Sequence, residues 1–130
     1  MLDTNMVSAI GRSPNLPSIS KHLAEIGPDT VCMSIVTAAE IRFGLAKSPS
    51  TRARANMETL LRSIPIVPFE VPADHHYAEI RAALARVGTP IGSNDLLIAA
   101  HALALDLTLI TDNVREFTRV SSLRVENWLD

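Results

Sequence analysis

The chain has 130 residues, of which 47% are hydrophobic, and its formal net charge is −2 at pH 7. This length and composition predict one domain, residues 1–130, with a continuous core and no room for a second. The mildly acidic balance excludes broad, nonspecific coating of nucleic acids, which depends on an excess of basic charge. Ten of the twelve basic residues are arginines, so any phosphate contact is expected to be local.

The composition also predicts a cytoplasmic protein without a membrane segment. The single cysteine, Cys32, excludes an internal disulfide. No stretch approaches the roughly 18 uninterrupted apolar residues of a membrane span, and the N-terminal residues lack the basic-then-apolar order of a signal peptide.

In the first half of the chain, short apolar runs alternate with segments of helical spacing. The predicted elements in order are a strand end at 1–3, a short amphipathic piece at 6–10, a helix at 19–26, a strand at 30–35, a helix starting near 37 and a helix at 51–62. Thr37 is predicted to cap its helix with Glu40 at the N3 position, because this spacing satisfies free N–H groups of the first turn.

The second half continues the alternation. The predicted elements are a strand at 65–69, a helix at 73–87 closed by Gly88, a helix at 96–105, a strand at 107–111 and a strand at 123–125. Ser93 or Asn94 is the predicted cap of the helix at 96–105, which is apolar nearly all round and is therefore expected to pack on several sides. Alternating strands and helices predict an α/β fold with a mostly parallel central sheet and helices on both faces.

Four carboxylates lie where an apolar run gives way to a polar turn or a helix: Asp3, Glu40, Asp95 and Asp112. The carboxyl ends of parallel strands meet at one crevice, so acids at several strand ends can converge although they are distant in sequence. Carboxylate oxygens are the ligands that Mg²⁺ and Mn²⁺ prefer. The sequence therefore predicts one shared metal site made of these four acids.

Gathering the acids has an electrostatic cost. Two unit charges about 5 Å apart repel by about 3 kcal/mol at an effective dielectric of 20. Either cations neutralise the cluster or some acids take up protons and their pKa values rise. A metal is the simpler interpretation, because only Arg42 stands beside one of the four acids, and it favours phosphodiester hydrolysis by a metal-bound water. Taken singly, Glu40 and Asp95 are equally well explained as capping and helix-dipole residues.

Several neighbours of the acids are further candidates. Side chains that can hydrogen-bond the carboxylates or metal-bound waters are Thr4, Asn5, Ser93, Thr111 and Asn113. Arg42 and Arg115 are candidates for phosphate contacts, although ordinary salt bridges or solvent explain either alone. His101 lacks Cys or His neighbours at zinc spacing and is interpreted as a core or interface residue. The adjacent His75 and His76 are interpreted as surface residues.

Four strings in order carry a resemblance to a known family: LDTN at 2–5, TAAEIRFG at 37–44, PIGSNDLLIAAHAL at 90–103 and LITDNVREFTRV at 109–120. Together they resemble the PIN-domain ribonucleases, specifically the toxins of the VapC type, over essentially the whole chain. The resemblance implies a three-layer α/β/α fold that gathers the four acids around one or two Mg²⁺ or Mn²⁺ ions. Asp3 and Asp95 match the positions most directly tied to metal, and Asp112 matches a last acidic position that is sometimes Asn.

The resemblance also implies an activity and partners. Similar proteins are endoribonucleases that cut RNA, often transfer or ribosomal RNA. A small cognate antitoxin blocks their site with its C-terminal segment, the toxins are usually homodimers, and promoter DNA is bound only through the antitoxin. One departure is that only Met1 and Leu2 precede the first Asp, where family members commonly have a few more residues. We therefore expect that the natural start lies upstream or that the chain was shortened.

Two other classes of function are compatible with acids at strand ends. A phospho-acceptor signalling domain also groups acids there, but it requires a Lys after a late strand, and this chain has no Lys beyond Lys47. A catalytically idle partner-binding module is the other alternative, and it would bind no Mg²⁺.

Overall fold

A parallel sheet runs through the centre of the molecule, for which the computed structural model describes residues 1–129. Its strands are β1 (Met33–Ser34), β2 (Ile66–Val67), β3 (Leu109–Ile110) and β4 (Val125–Glu126). β1 pairs with β2, and β3 pairs with β4, both in parallel. Leu2 joins the two pairs through parallel bridges to Met33 and Ile110. The order across the sheet is therefore β2, β1, Leu2, β3, β4, and all carboxyl ends emerge at one edge.

Seven α-helices lie within the described residues: α1 (Thr4–Arg12), α2 (Pro17–Ile26), α3 (Ile35–Lys47), α4 (Thr51–Ser63), α5 (Ala73–Arg86), α6 (Ser93–Ala104) and α7 (Val114–Phe117). A short 3₁₀ turn, Pro28–Thr30, precedes β1. None of the helices within this part of the chain is long and apolar enough to cross a membrane.

The core consists of two apolar clusters, one on each face of the sheet. Successive strand residues point to opposite faces, so Met1 and Leu109 belong to one cluster while Leu2 and Ile110 belong to the other. The first cluster contains the buried faces of α5, α6 and α7, and the second contains those of α1 to α4. The predicted α/β architecture of three layers with a parallel central sheet is confirmed.

The predicted cap of α3 was wrong. The helix begins at Ile35, and the hydroxyl of Ser34 accepts a hydrogen bond from the N–H of Val36 at 3.0 Å. Thr37 is buried inside the helix instead of capping it. The β-branched pair Ile35-Val36 is typical of a strand, whereas the Ser34 hydroxyl starts the helix earlier. Glu40 therefore lies in the second turn, outside any capping box.

The predicted cap of α6 was also wrong. The helix begins at Ser93, with Gly92 at the N-cap position and no side-chain cap. The N–H of Gly92 donates instead to Glu116 Oε1 at 3.0 Å, across 24 positions of sequence. Asp95 keeps its predicted place in the first turn of this helix.

The remaining predictions differ from the structure mainly in length. Each strand within the described residues has only two paired residues, and α7 was not predicted. Val87, the last residue of the helix predicted at 73–87, is 69% exposed just beyond the helix end. The buried residues of α5 are Ala73, Ile80 and Leu84.

Two glycines with open space around them are expected to respond oppositely to Ala. Gly88 has φ +70, so a side chain there is strained, and Gly88→Ala should destabilise the protein by about 1 kcal/mol. Gly44 lies inside α3, where Gly44→Ala should stabilise by about 0.5–1 kcal/mol by reducing the entropy of the unfolded chain. Urea unfolding of both variants measures the difference. Equal effects at the two positions would contradict the backbone conformations described.

Candidate active site

Asp3 is a buried carboxylate that directly follows Leu2, the residue at the centre of the sheet. It is 3% exposed, and its Oδ1 accepts the N–H of Met6 at 2.8 Å as the N-cap of α1. Thr111 Oγ1 donates to its Oδ2 at 2.5 Å. Burial raises the pKa of Asp3 to about 6, with the charges of Asp112 and Glu40 adding to the rise and the two hydrogen bonds opposing it.

Glu40 projects from the second turn of α3 and is held at both oxygens. Thr4 Oγ1 donates to Oε1 at 2.5 Å, and Asn94 Nδ2 donates to Oε2 at 3.2 Å. The Thr4 hydroxyl also lies 3.3 Å from that of Thr37. The Glu40 carboxylate therefore links the first residues of α1 and α6, and neutral donors fix its orientation.

Asp95 forms a pair with an acid that the sequence analysis did not select. The carboxyl groups of Asp95 and Glu116 lie close enough for a protonated carboxyl of one to donate a hydrogen bond to the other. Burial is the main cause that raises the pKa of Asp95 to about 7. The hydrogen bond and charge of Glu116, and then the charges of Glu40 and Asp3, raise this pKa further. Burial alone would raise the pKa of Glu116, but hydrogen bonds from the Gly92 N–H, Asn113 and Asp95 lower it. The proton therefore belongs mainly to Asp95.

Asp112 lies at the rim of the cluster. Its side chain is exposed, and its Oδ1 is 3.5 Å from Asn5 Nδ2. Its charge contributes to the raised pKa of Asp3, so it is close enough to act electrostatically on the buried acid. The structure thus places the four predicted acids in one region, with Asp3, Glu40 and Asp95 inside it and Asp112 at its edge.

Glu116 is the fifth acid of the region and was missed. It lies on the one-turn helix α7, where Asn113 Nδ2 donates to its Oε2 at 2.7 Å. The only sequence signal was its place four residues after Asp112, and no helical spacing relates the two because Asp112 precedes α7. The string LITDNVREFTRV contains both acids.

The predicted neighbours behave differently from one another. Four of them contact acids of the region: Thr4 to Glu40, Asn5 to Asp112, Thr111 to Asp3 and Asn113 to Glu116. Ser93 lies instead in the lining of a pocket between α5 and α6. Arg42 pairs with Glu58 at 2.7 Å on the surface, and Arg115 is exposed.

His101 is a core residue, as interpreted from the sequence. It is 1% exposed, its Nδ1 lies 2.8 Å from Ser34 Oγ, and its ring packs edge-on against Phe69. Its Nε2 has no hydrogen-bond partner of good geometry within the described residues. Burial lowers the pKa of His101, against an opposing contribution from the Pro68 carbonyl.

No basic side chain forms an ion pair with an acid of the region within the described residues, where the two ion pairs use Glu58 and Asp106. The oxygen ligands of the region, with the raised pKa values of Asp3 and Asp95, suit a hard divalent cation. Such a cation would replace the protons of these acids as the neutralising charge. In the described arrangement no three His, Cys, Asp or Glu side chains are already set to hold an ion. Asp95 must release its proton to solvent before both carboxylates can act as ligands.

Comparison with known proteins decides the family. The PIN domain family model matches residues 1–123. The chain belongs to the PIN-domain family. Among curated PIN-domain relatives, ribonuclease VapC2 of Rickettsia felis is 36% identical over 135 residues, 98% of this chain and 96% of the relative. The tRNA(fMet)-specific endonuclease VapC of Salmonella typhimurium is 35% identical over 129 residues, with the same shares covered.

Solved structures agree with the family assignment. One chain of the DNA-bound VapBC crystal structure from Salmonella typhimurium superposes with a TM-score of 0.91 at 33% identity, covering 98% of this PIN domain and 96% of that chain. VapBC2 from Rickettsia felis, bound to a DNA fragment from its promoter, gives 0.88 at 33% identity, covering 98% and 97%. A member of the VapBC family of toxin-antitoxin systems from Mycobacterium tuberculosis gives 0.62 at 31% identity, covering 75% and 79%.

The raised pKa values predict that the metal-free protein loses stability as the pH rises. A carboxyl group with a pKa of about 6 (Asp3) or about 7 (Asp95) when folded, and near 4 when unfolded, binds its proton more tightly in the folded chain. The free energy of unfolding should therefore fall as the pH rises from about 4 to about 7 and then level off. Urea unfolding in EDTA across this range measures it.

Asp95→Asn should flatten part of this pH dependence, because it removes one of the two groups with a raised pKa. The matched control is Asp74→Asn, the same change at an exposed position of α5, which should leave the slope unchanged. An identical slope in wild type and Asp95→Asn would contradict the assignment of the proton to Asp95.

Proposed function

We propose that this PIN domain is an endoribonuclease toxin that hydrolyses RNA phosphodiester bonds with the help of Mg²⁺ or Mn²⁺. The observation that carries the proposal is the convergence of Asp3, Glu40, Asp95 and Glu116 at one sheet edge with no ion-pair partner among the described residues. The names of the VapC relatives support the reaction class. Transfer or ribosomal RNA is the proposed substrate class.

Each acid has a distinct part in the proposed site. Asp3, Asp95 and Glu116 are the proposed inner ligands, and Glu40 completes the set from α3. Asp112 is proposed as an outer acid, because it is exposed and contacts Asn5 rather than another carboxylate. A bound divalent cation would supply Lewis-acid activation of the phosphodiester and of the attacking water.

The side chains around the acids restrict how the carboxylates can rotate. Thr111 and the N–H of Met6 fix both oxygens of Asp3, while Thr4 and Asn94 fix both oxygens of Glu40. Such partners orient ligands, and their loss typically weakens metal binding roughly 10- to 100-fold. We therefore propose Thr4, Asn94 and Thr111 as positioning residues of the site.

We further propose that the chain forms a homodimer and is neutralised by a cognate antitoxin, with promoter DNA bound only through that partner. VapBC assemblies of relatives, two of them bound to DNA, support the antitoxin. Analytical ultracentrifugation of the chain alone tests the dimer, and a monomer at high concentration would reject it. Release of growth arrest by a coexpressed antitoxin tests the partner.

Removing an inner acid should abolish RNA cleavage while the fold persists. Asp95→Asn and Glu116→Gln should each reduce the cleavage rate by about 100-fold or more, the order found when one transition-state charge contact is lost. Asp112→Asn should have a smaller effect, because Asp112 lies at the rim. Asp74→Asn, on the surface of α5, should cleave like wild type. The measurement is gel analysis of transfer and ribosomal RNA incubated with Mg²⁺ or with EDTA. Metal-dependent cleavage that survives in Asp95→Asn would sink the site assignment.

Divalent cations should bind and stabilise the protein at pH values where the acids are ionised. A ligand at 100 times its Kd stabilises by about 2.7 kcal/mol, so the unfolding temperature should rise as Mn²⁺ is added. Asn94→Ala should weaken Mn²⁺ binding roughly tenfold or more in isothermal titration calorimetry, because Glu40 loses one of its two donors. Asn56→Ala, an exposed change on α4, is the control. Absence of Mn²⁺ uptake by wild type would favour the catalytically idle module.

A further inference from the structure

We infer that a pocket between α5 and α6 receives an unpaired base of the RNA beside the cleaved phosphate. This inference rests on the proposed ribonuclease function and adds a substrate subsite to it. The pocket has a volume of about 330 Å³ and is lined by Tyr77 and Arg81 of α5, Ser93 and Leu96 of α6, and Pro90 between them. We call it the Tyr77 pocket.

The Tyr77 pocket and the acid region share one short loop and one helical turn. Pro90 and Ile91 line the pocket, while the N–H of the next residue, Gly92, donates to Glu116 of the acid region. Ser93 and Asp95 are two residues apart at the start of α6, so their side chains point to nearly opposite sides of the helix. An RNA strand that crosses the start of α6 can place one phosphate at the acid region, which contains Asp95 and Glu116, and a neighbouring base in the Tyr77 pocket.

The chemistry of the pocket wall suits a nucleobase. Tyr77 is the only tyrosine of the chain, and its half-buried ring packs against the apolar cluster that contains α5 and α6. Arg81 Nη1 donates to its hydroxyl at 2.9 Å, and the guanidinium carbon lies 5.9 Å from the ring centroid. An aromatic ring and an arginine plane are the side-chain surfaces on which unpaired RNA bases stack. The internal hydrogen bond orders both groups before the ligand arrives.

The charge of the pocket fits a polyanion and not a cation. No Asp or Glu lines it, and Arg81 has no carboxylate partner within the described residues. The acid region on the other side of α6 repels phosphates unless a cation neutralises it. Arg81 therefore offers the adjacent positive charge that can hold a flanking phosphate while the base stacks on Tyr77.

The size of the pocket selects an unpaired base rather than a larger ligand. A volume of about 330 Å³ is at the lower end of the range for small-molecule pockets, which starts near 300 Å³. A base inside a duplex keeps both of its faces stacked and cannot enter such a pocket. The proposed ligand is therefore a nucleotide of a loop or single-stranded segment.

The single tyrosine allows a test of base binding that needs no substitution in the lining of the pocket. Protein labelled with fluorotyrosine has one fluorine NMR signal, from position 77. In the Asp95→Asn background, which is expected to bind RNA without cutting it, a short single-stranded RNA of mixed sequence with Mg²⁺ should shift this signal saturably. The same RNA annealed to its complement should leave the signal unchanged.

Substitutions in the pocket measure how much it contributes to the affinity for single-stranded RNA. Tyr77→Ala and Arg81→Ala, in the same background, should each weaken binding of the single-stranded RNA about tenfold, whereas Tyr77→Phe should retain most of the affinity because the ring remains. Arg86→Ala is the matched control, since it removes the same charge from an exposed position of the same helix that lies outside the pocket and has no ion pair among the described residues. Fluorescence anisotropy gives the affinities, and thermal unfolding verifies that Tyr77→Ala is folded. Arg81 is exposed, so Arg81→Ala keeps the test valid if Tyr77→Ala is not.

The outcomes separate this inference from the proposed function. If wild type cuts RNA but the fluorine signal does not move and Arg81→Ala binds like Arg86→Ala, the pocket inference fails and the ribonuclease stands. If wild type neither cuts nor binds any RNA tested, both fail. A signal that shifts with protein concentration in the absence of RNA would assign the pocket to a second copy of the chain and overturn the inference, as would an equal shift with duplex RNA.

Discussion

The parallel pairing of Leu2 between two strands determines where chemistry can occur in this protein. The N–H of Leu2 donates to the Cys32 carbonyl at 2.9 Å, and the N–H of Asp3 donates to the Ile110 carbonyl at 3.0 Å. Because both neighbours run in the same direction, the chain leaves all three strand positions at one edge. This edge therefore brings together Asp3, the start of α3 and the turn that begins at Thr111. The only feature of the sequence that predicts this meeting is the order of the strands.

The acids that meet there form no ion pairs within the described residues and are stabilised mainly by protons and neutral donors, with the charge of Arg119 acting on Glu116. The ion pairs of the described residues, Arg42 with Glu58 and Arg124 with Asp106, lie on the surface and contribute little to stability. The acid region instead has raised pKa values for Asp3 and Asp95, caused first by burial of the carboxyl groups and then by the negative charges of neighbouring acids. Carboxyl groups held in such an unfavourable environment are typical of a functional site, where a bound ligand supplies the missing positive charge.

Sequence patterns located the strands, the long helices and four acids, because these depend on runs of apolar residues and on topology. They did not locate Glu116, since the four residues of α7 are too short for any periodicity to be detected over the window of about 11–18 residues that it requires. Nor did they identify Ser34 as a cap, because Ile35 and Val36 fit a strand as well as a first helical turn. The partner of Asp95 depends on tertiary contacts across 21 positions, which no local pattern contains.

Helix α6 is the element that relates the separate parts of the site. It carries Asp95 at its start, lines the Tyr77 pocket, and has its middle residues buried in the core, so the groups attached to it are held by a rigid support. His101, two turns further along, contacts the Ser34 hydroxyl that caps α3, the helix of Glu40. Burial keeps this histidine neutral, so it joins the two acid-bearing helices without adding a charge that would compete with a cation. The relative position of Glu40 and Asp95 thus depends on a buried polar contact as well as on the Asn94 hydrogen bond at the surface.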